Sequence, residues 1–304
     1  MTVLVIGGSG FLGTELVRQA TAAGHETAAT FASRPGRTPG VAWHPLDVRD
    51  PARVARVITD VAPSVVINAS SARSDWAITA DGAVRVALVA AEQGCRLVHV
   101  SSDAVFSGAD VRYDESCLPD PVTPYGAAKA AAETGVRLLV PGAAVARTSL
   151  IIGHGRSVHE RTVHALAVGS RDGVLFTDDI RCPVHVEDLA AALWEIALSD
   201  AAGVFHLAGP DAVSRHDLGV LIARREGLDG ARLPAGRRVD ASLPGALDVR
   251  LDSRATQQRL RTRLRGAREF LRGDGPGVNP RDQMSPIQQG GTPLPTSEAL
   301  TQAH

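Results

Sequence analysis

Tyr125 and Lys129 lie four residues apart in the segment PYGAAKAAAE, residues 124–133, so a helix would place both side chains on one face. A free phenol has a pKa of about 10 and is a poor acid at neutral pH, but a nearby ammonium stabilises the phenolate and lowers that pKa. Lys129 is the only lysine, because 31 of the 32 lysines and arginines are arginine. The pair predicts acid–base chemistry on Tyr125; the alternative is an incidental pair on an exposed helix.

A serine pair, Ser101 and Ser102, ends the apolar run RLVHVSS that precedes this helix. We interpret the run as a strand of a parallel sheet, and ligands of such sheets bind beyond the carboxyl ends of the strands. Ser102, 23 residues before Tyr125, is therefore predicted to hold a substrate oxygen. The alternative role for serines at this place is a turn or a helix cap.

Three glycines, Gly7, Gly10 and Gly13, directly follow the apolar run TVLVI. In this context the first permits a tight turn, the second lets the backbone approach a pyrophosphate, and the third lets a helix pack closely on the strand. The helix N-terminus adds free N–H donors and the positive end of the helix dipole. The turn therefore predicts a bound dinucleotide; the alternative is a glycine-rich turn without a ligand.

The segment ATFASRPGR, at the end of the second predicted strand, indicates which dinucleotide binds. A site for NAD(H) usually places an acid there to hold the ribose 2′-hydroxyl. This chain has Ser33, Arg34 and Arg37 instead. A guanidinium can pair with a 2′-phosphate through two hydrogen bonds, so the sequence favours NADP(H) over NAD(H). In the alternative interpretation both arginines are solvated loop charges.

Short apolar runs alternate with alanine-rich helical stretches through the first half of the chain, with helices predicted at about 14–23, 53–61 and 77–93 and around Tyr125. Nearly continuous apolar strands between helices are typical of a parallel sheet covered on both faces. The sequence therefore predicts an α/β fold, a doubly wound parallel sheet of the Rossmann type with a second, smaller substrate-binding lobe.

Three regions are predicted along the chain. Residues 1–150 form the NAD(P)-binding Rossmann domain, and residues 151–272 form the smaller substrate-binding lobe, whose elements could interleave with the first. Residues 273–304 are rich in Gly, Pro and Gln and poor in bulky apolar residues, which is typical of a disordered tail.

The composition limits the classes of partner. The formal net charge is −1 without a basic stripe, so nucleic acid is not predicted, and no apolar run approaches a membrane span. The segment HERTVH spaces His159 and His164 five residues apart, which places them on diverging faces of a helix, so no metal is predicted. The three cysteines, Cys95, Cys117 and Cys182, are scattered along the chain, which favours a cytoplasmic location. Homo-oligomerisation is left open.

The glycine turn and the segments SSDAVFSG, PVTPYGAAKAAAE, ARTSLIIGHG and PVHVEDLA resemble the extended short-chain dehydrogenases/reductases, and within them the dTDP-4-dehydrorhamnose reductase group. The resemblance covers residues 1 to about 272 and implies a catalytic triad of Ser102, Tyr125 and Lys129. It also implies that RTSLI lies beside the nicotinamide, that Asp47 and Val48 flank the adenine, and that Asn68, Ala69 and Ser70 line the cofactor cleft. Together with the residues argued above, the predicted NADP(H)-binding residues are Gly7, Gly10, Phe11, Leu12, Gly13, Ser33, Arg34, Asp47, Val48, Asn68, Ala69, Ser70, Tyr125 and Lys129.

Two departures from the group fall near the expected substrate pocket. Ala104 stands where the group usually has tyrosine, and the loop ARSDWAITADG is shorter than is usual there. Both bear on which sugar is bound. The candidate substrate-binding residues are Trp76, Ser102, Asp103, Arg156 and Arg181.

The sequence thus predicts an NADPH-dependent reductase of a nucleotide-activated 4-keto-6-deoxy sugar, which is a small-molecule partner. One alternative is a sugar-nucleotide epimerase or dehydratase that retains its dinucleotide. Another alternative is a non-catalytic NADP-binding regulatory subunit on the same fold, although such a subunit would not need an activated phenol.

Overall fold

The computed structural model describes residues 1–241 and 243–272. In this part of the chain the strands are β1 Thr2–Ile6, β2 Glu26–Phe31, β3 Ala42–Pro45, β4 Val65–Asn68, β5 Arg96–Ser102, β6 Arg112–Tyr113, β7 Ala144–Thr148, β8 Ile151–Ile152, β9 Leu175–Phe176, β10 Ile180–Arg181, β11 Val184–His185, β12 Gly203–Leu207, β13 Val213–Ser214, β14 Ala235–Gly236 and β15 Arg250–Leu251. The helices are α1 Phe11–Ala22, α2 Pro51–Val61, α3 Gly82–Glu92, α4 Pro124–Leu139, α5 Val158–Ala167, α6 Val186–Ala197, α7 Arg215–Arg225, α8 Arg254–Arg259 and α9 Ala267–Phe270. The predicted disordered tail, 273–304, lies outside the described residues.

The central sheet has seven parallel strands in the order β12-β7-β5-β4-β1-β2-β3. The chain winds outward from β1 to β2 and β3, then returns to β4 on the other side of β1 and continues to β12. The order therefore reverses between β1 and β4, and the carboxyl ends of these strands border the crevice where doubly wound sheets bind ligands. The predicted doubly wound parallel sheet is confirmed.

The inner strands of the central sheet are buried on both faces because their apolar side chains alternate between two cores. In β1, Val3 and Val5 face helices α1 and α6, whereas Leu4 and Ile6 face α2, α3 and α4. This alternation follows from the two-residue period of a strand. Each large apolar side chain that is buried stabilises the fold by about 1.5–3 kcal/mol.

Elements after residue 150 contribute both to the sheet and to a separate group on one side of it. Helices α5 and α7 share a core of their own with strand β9, and the strand pairs β9–β14 and β10–β13 lie outside the central sheet. Helix α6 and strand β12, by contrast, pack on or extend the central sheet. Residues 1–272 form one compact unit, so the division at residue 150 stays a prediction.

The bounds of several elements differ from those predicted. Helix α1 begins at Phe11, three residues before the expected start, and the helix expected from residue 77 begins with a π-helical turn, Ala77–Asp81. The edge strand β3 was not predicted, because its sequence AWHP lacks an apolar run and ends in proline. No helix of the described part has the length and apolar character needed to span a bilayer.

Candidate active site

Helix α4 presents the tyrosine and the lysine to the carboxyl end of the sheet. Pro124 occupies its first turn, and the hydroxyl of Thr123 accepts a hydrogen bond from the Gly126 N–H at 3.1 Å, which fixes where the helix begins. One turn on, the Lys129 ammonium is buried and donates to the carbonyl oxygen of Val100 in β5 at 2.9 Å. The tyrosine and lysine thus line one cleft, as the four-residue spacing predicts.

A buried ion pair holds this helix against the sheet. Glu133, one turn beyond Lys129, accepts hydrogen bonds from Arg147 of β7 at 2.8 Å and 3.1 Å and from the hydroxyl of Ser101 at 2.5 Å. Both charged side chains are almost fully inaccessible to solvent. Removal of one partner from such a pair leaves an uncompensated buried charge and typically costs about 3–5 kcal/mol. The pair therefore fixes the position of α4, and with it both catalytic candidates.

The phenol of Tyr125 has a raised pKa in this structure. Burial is the main cause, and the charge of Asp103 acts in the same direction. A hydrogen bond from Ser71, whose Oγ lies 3.4 Å from the phenol oxygen, opposes it, as do the charge of Arg73 and a hydrogen bond with Ser102. The expected lowering of this pKa is therefore wrong for this arrangement, because burial outweighs the groups that stabilise the phenolate.

Lys129 has its own shifted pKa. Burial lowers the pKa of the ammonium from 10.5 to about 8, although the nearby carboxylate of Glu133 opposes the shift. A lysine with a pKa this close to neutrality exchanges its proton within the physiological range, which suits a group that acts beside an acid–base residue. No arginine could do this, because a guanidinium stays protonated.

Of the two roles that the sequence left open for Ser102, the structure shows the cap, and the contact with a substrate oxygen stays a prediction. The hydroxyl of Ser102 accepts a hydrogen bond from the Ala104 N–H at 3.2 Å, so it caps the short helical turn Asp103–Val105. It also lines the cleft and acts on the phenol of Tyr125 through a hydrogen bond. The carboxylate of Asp103, which Ser149 contacts at 2.7 Å, lies beside it.

These residues converge on a cleft of about 510 Å³ beyond the carboxyl ends of the strands. Of the residues predicted from the sequence, the cleft is lined by Phe11, Leu12, Ala69, Ser102, Asp103, Tyr125, Lys129, Arg156 and Arg181. The predicted residues that do not line it are Gly7, Gly10, Gly13, Ser33, Arg34, Asp47, Val48, Asn68, Ser70 and Trp76.

Three arginines that line the cleft gather around one buried carboxylate, that of Asp179. Asp179 is buried and pairs with Arg181 at 2.9 Å, Arg215 at 3.3 Å and Arg238 at 2.7 Å. Arg181 also lies 3.6 Å from the carboxylate of Asp103. Two carboxylates do not balance three guanidinium groups, so the cluster carries excess positive charge that favours an anionic ligand. Sequence analysis identified only Arg181 of this cluster, because nothing in the local pattern connects positions 179, 215 and 238.

Arg156 and Arg181 were both predicted to bind substrate, but their guanidinium groups differ in how many hydrogen-bond donors the protein already uses. The guanidinium of Arg181 donates to the carbonyl oxygens of Ile180, Leu247 and Ala246, so its donors are largely used within the protein. The side chain of Arg156 is exposed at the cleft mouth and makes no ion pair with another described residue. Arg156 is therefore the better placed of the two to meet a ligand.

The glycine turn has the close geometry that a pyrophosphate site needs. Gly7 has a φ of +80°, and a Cβ on Gly13 would lie 2.1 Å from the carbonyl oxygen of Gly7. The Gly10 N–H donates to that oxygen at 3.0 Å, and no side chain caps α1. The first-turn N–H groups of this 12-residue helix are thus directed outward, and the turn fits a dinucleotide phosphate.

The residues assigned to the adenosine end lie along the neighbouring strand ends. Ser33, Arg34 and Arg37 are exposed after β2, and neither arginine makes an ion pair with another described residue. Asp47 pairs with Arg49 at 2.7 Å. Val48, which is buried, packs on Gly82. Asn68 Oδ1 accepts hydrogen bonds from the hydroxyl of Ser70 at 2.6 Å and from its backbone N–H at 3.1 Å. The arrangement fits a 2′-phosphate on the exposed arginines.

Three further predictions concern residues at the edge of the site. Trp76 is 50% exposed and donates to Asp81 at 3.1 Å outside the cleft, so its stacking on a ligand stays a prediction. His159 lines the cleft, whereas His164 on the same helix is exposed. The two histidines diverge as their spacing predicts, and no cluster of metal-ligating side chains occurs within 1–241 and 243–272.

The fold and the cleft define the class: an NAD(P)-dependent oxidoreductase of the extended short-chain dehydrogenase/reductase type. The sequence model of the family described as RmlD substrate binding domain matches residues 1–271, and the chain belongs to this family.

Similar proteins share its sequence and fold. The dTDP-4-dehydrorhamnose reductase of Mycobacterium tuberculosis (strain H37Rv) is 31% identical over 248 residues, which cover 76% of this chain and 77% of that protein. The crystal structure of dTDP-4-dehydrorhamnose reductase from Bacillus anthracis in complex with NADP has a TM-score of 0.76 at 20% identity and covers 89% of this chain and 97% of that chain. MoeE5 in complex with UDP-glucose and NAD has a TM-score of 0.77 at 24% identity, with coverage of 90% and 96%.

Proposed function

We propose that the protein is an NADP(H)-dependent reductase of a nucleotide-activated 4-keto-6-deoxy sugar. The observation that carries the proposal is the convergence of Ser102, Tyr125 and Lys129 on one cleft that is also lined by arginines. A reduction at this site needs a proton donor at one end of the substrate, and a nucleotide diphosphate needs cations at the other. The names of the similar reductases support the same substrate class.

Tyr125, Ser102 and Lys129 have separate roles in the proposed reaction. When bound, the nicotinamide supplies a hydride to the carbonyl carbon of the sugar. Tyr125 gives its phenolic proton to the carbonyl oxygen, while the hydroxyl of Ser102 orients that oxygen by a hydrogen bond. The Lys129 ammonium beside the cleft stabilises the phenolate that remains.

The charge of the cleft supports an activated sugar rather than a free one. In the described part of the chain, Asp103 is the only acidic residue that lines the cleft. Six arginines line it: Arg73, Arg156, Arg161, Arg181, Arg215 and Arg238. A diphosphate brings two negative charges, and planar guanidinium groups bind phosphate oxygens through paired hydrogen bonds. A neutral sugar would leave this charge without a counterion.

Incubation of the protein with NADPH and a panel of dTDP-4-keto-6-deoxy sugars tests the function. We expect stoichiometric NADPH oxidation with at least one sugar and formation of the corresponding 4-hydroxy product, with the Tyr125→Phe variant as control. Isomerisation without net NADPH oxidation would favour the epimerase alternative. Tight NADPH binding without turnover on any sugar would favour the regulatory subunit.

Cofactor preference provides a separate prediction, because Ser33, Arg34 and Arg37 lie exposed where an acid would mark an NAD(H) site. NADPH should bind at least about tenfold more tightly than NADH, a difference of about 1.4 kcal/mol. Fluorescence titration of both cofactors measures it. Arg34→Ala should remove most of the preference, whereas Arg137→Ala, which removes an exposed arginine of α4, should not. Equal affinities for the two cofactors in the unmodified protein would refute the assignment.

The cysteines bear on the location of the protein. Cys95, Cys117 and Cys182 are all free thiols, and burial raises the pKa of Cys182 to about 12. Unreactive, unpaired thiols suit a reducing compartment, so we place the protein in the cytoplasm. Homo-oligomerisation stays open.

A further inference from the structure

Arg73 lies over the ring of the catalytic tyrosine. The loop that follows β4 brings its guanidinium carbon Cζ to 6.0 Å from the ring centroid of Tyr125, and the same loop places Ser71 Oγ 3.4 Å from the phenol oxygen. Thr79 holds this loop by accepting a hydrogen bond from the Ala72 N–H at 3.0 Å and donating to its carbonyl oxygen at 2.7 Å. The loop is the one that the sequence resemblance predicts to be shorter than is usual in the reductase group.

The guanidinium of Arg73 is not committed to a carboxylate. Within 1–241 and 243–272 it makes no ion pair, although an acid, Asp75, lies two residues away. That acid pairs with Arg49 instead, at 3.4 Å. The charge of Arg73 is thus available to the cleft, which its side chain lines together with Tyr125.

The ammonium of Lys129 has a different environment. It donates to a backbone carbonyl and faces Glu133 on its own helix, and its pKa of about 8 means that the charge is partly lost above neutral pH. A guanidinium keeps its charge throughout the pH range of enzyme activity. Of Arg73 and Lys129, Arg73 is therefore the one whose charge does not depend on pH.

We propose that Arg73 supplies the fixed positive charge against which the Tyr125 phenolate forms when the proton leaves for the substrate. This inference rests on the proposed reductase function. In the step, the O–H bond of Tyr125 breaks and its proton bonds to the carbonyl oxygen, while the carbonyl carbon receives the hydride that bound NADPH would supply. The phenolate remains until water reprotonates it. Arg73 acts through Tyr125 and is a positioning residue.

Other charged and titratable groups in the cleft also bear on the ionisation of the Tyr125 phenol. Asp103, after β5, opposes phenolate formation, and Lys129 of α4 lines the same cleft. His159 of α5 contacts Arg215 of α7 at 3.4 Å, and burial together with the charges of Arg215 and Arg73 lowers its pKa to about 3. The imidazole is therefore neutral at working pH and adds no positive charge to the cleft.

The pKa of Tyr125 can be measured without turnover, because the chain has only two tyrosines. Labelling with [¹³C-ζ]tyrosine gives two NMR signals, which Tyr125→Phe assigns. In the protein saturated with NADPH, Arg73→Gln should raise the Tyr125 pKa by about 0.5 to 1 pH unit, as expected for one solvent-exposed charge at this distance. Arg73→Lys should restore most of the shift, since it keeps the charge.

Arg156→Gln is the matched control, because it removes another exposed arginine of the cleft, one that does not lie over the tyrosine ring. Its effect on the Tyr125 pKa should be smaller than that of Arg73→Gln. An unchanged pKa in Arg73→Gln, or an equal shift in Arg156→Gln, would overturn the proposal. If no sugar is reduced by the unmodified protein, the proposed function fails, whereas this titration still decides whether Arg73 acts on the phenol.

With an active substrate the same variants give a kinetic readout. Arg73→Gln should lower kcat severalfold at neutral pH and move the acidic-group limb of the pH–rate profile to higher pH with the phenol pKa. The KM for the sugar should change less than kcat. A rise in KM alone would mean that Arg73 only binds substrate, and would contradict the inference.

Discussion

Tyr125→Phe should lower kcat by about 10²- to 10⁴-fold, the range typical for loss of a general acid. The ring and its packing are kept, while the only phenolic hydroxyl that lines the cleft is removed. The other tyrosine, Tyr113, is buried and stacks on Phe106 at a centroid distance of 4.0 Å, so it cannot take over. Steady-state NADPH oxidation with the active sugar measures the effect.

Cofactor binding separates this result from a folding defect. The dissociation constant for NADPH should change by less than about threefold, because the substitution removes a single hydrogen-bonding hydroxyl. The melting temperature should also be nearly unchanged. A kcat within tenfold of the unmodified protein would mean that another group donates the proton, and Ser102 would then be the residue to replace.

Substitution of Lys129 by methionine should lower the activity of the protein without lowering the stability of its fold. Lys129→Met and Lys129→Arg should both lower kcat by about 10²-fold. Neither side chain offers a compact ammonium that can stabilise the Tyr125 phenolate and also donate a hydrogen bond to the Val100 carbonyl oxygen. An arginine must also fit where the lysine is 3% exposed, and such overpacking costs about 1–3 kcal/mol. Methionine is apolar and of similar length, so it avoids that cost.

The stability of Lys129→Met should exceed that of the unmodified protein at neutral pH. The folded chain lowers the pKa of this ammonium from 10.5 to about 8, which corresponds to a cost of about 3 kcal/mol for keeping it charged. Because the folded pKa lies below the unfolded one, the folded state loses stability as the pH falls from 10.5 through 8, and the full cost applies below pH 8. After loss of the hydrogen bond to Val100, a net gain of about 1–2 kcal/mol is expected.

Denaturant unfolding of both proteins at two pH values measures this difference. The advantage of Lys129→Met should be largest near pH 6.5 and should shrink near pH 10, where the lysine is neutral in the folded state. Lys129→Arg is the control, because it should be less stable at both values. A Lys129→Met variant that is less stable at pH 6.5 would show that the ammonium stabilises the fold. A fully active Lys129→Arg variant would show that lysine is incidental there.

The local features of the protein could be read from the sequence. Alternating apolar strands and helices predicted the doubly wound sheet, since burial on both faces requires nearly continuous apolar strands. Gly13 predicted the close packing of α1 on the first turn, because only a residue without Cβ fits there. The spacing of Tyr125 and Lys129 predicted that they share a cleft, because a helix brings residues four apart onto one face.

Side-chain partners from distant segments were decided by the tertiary structure alone. The pairing of Glu133 with Arg147 and the gathering of three arginines on Asp179 join positions far apart in the chain, so no local period reveals them. Arg73 reaches the phenol because a short loop folds back over α4. The direction of the Tyr125 pKa shift was also decided there, because burial depends on everything packed around the ring, whereas sequence spacing indicates only which charges are near.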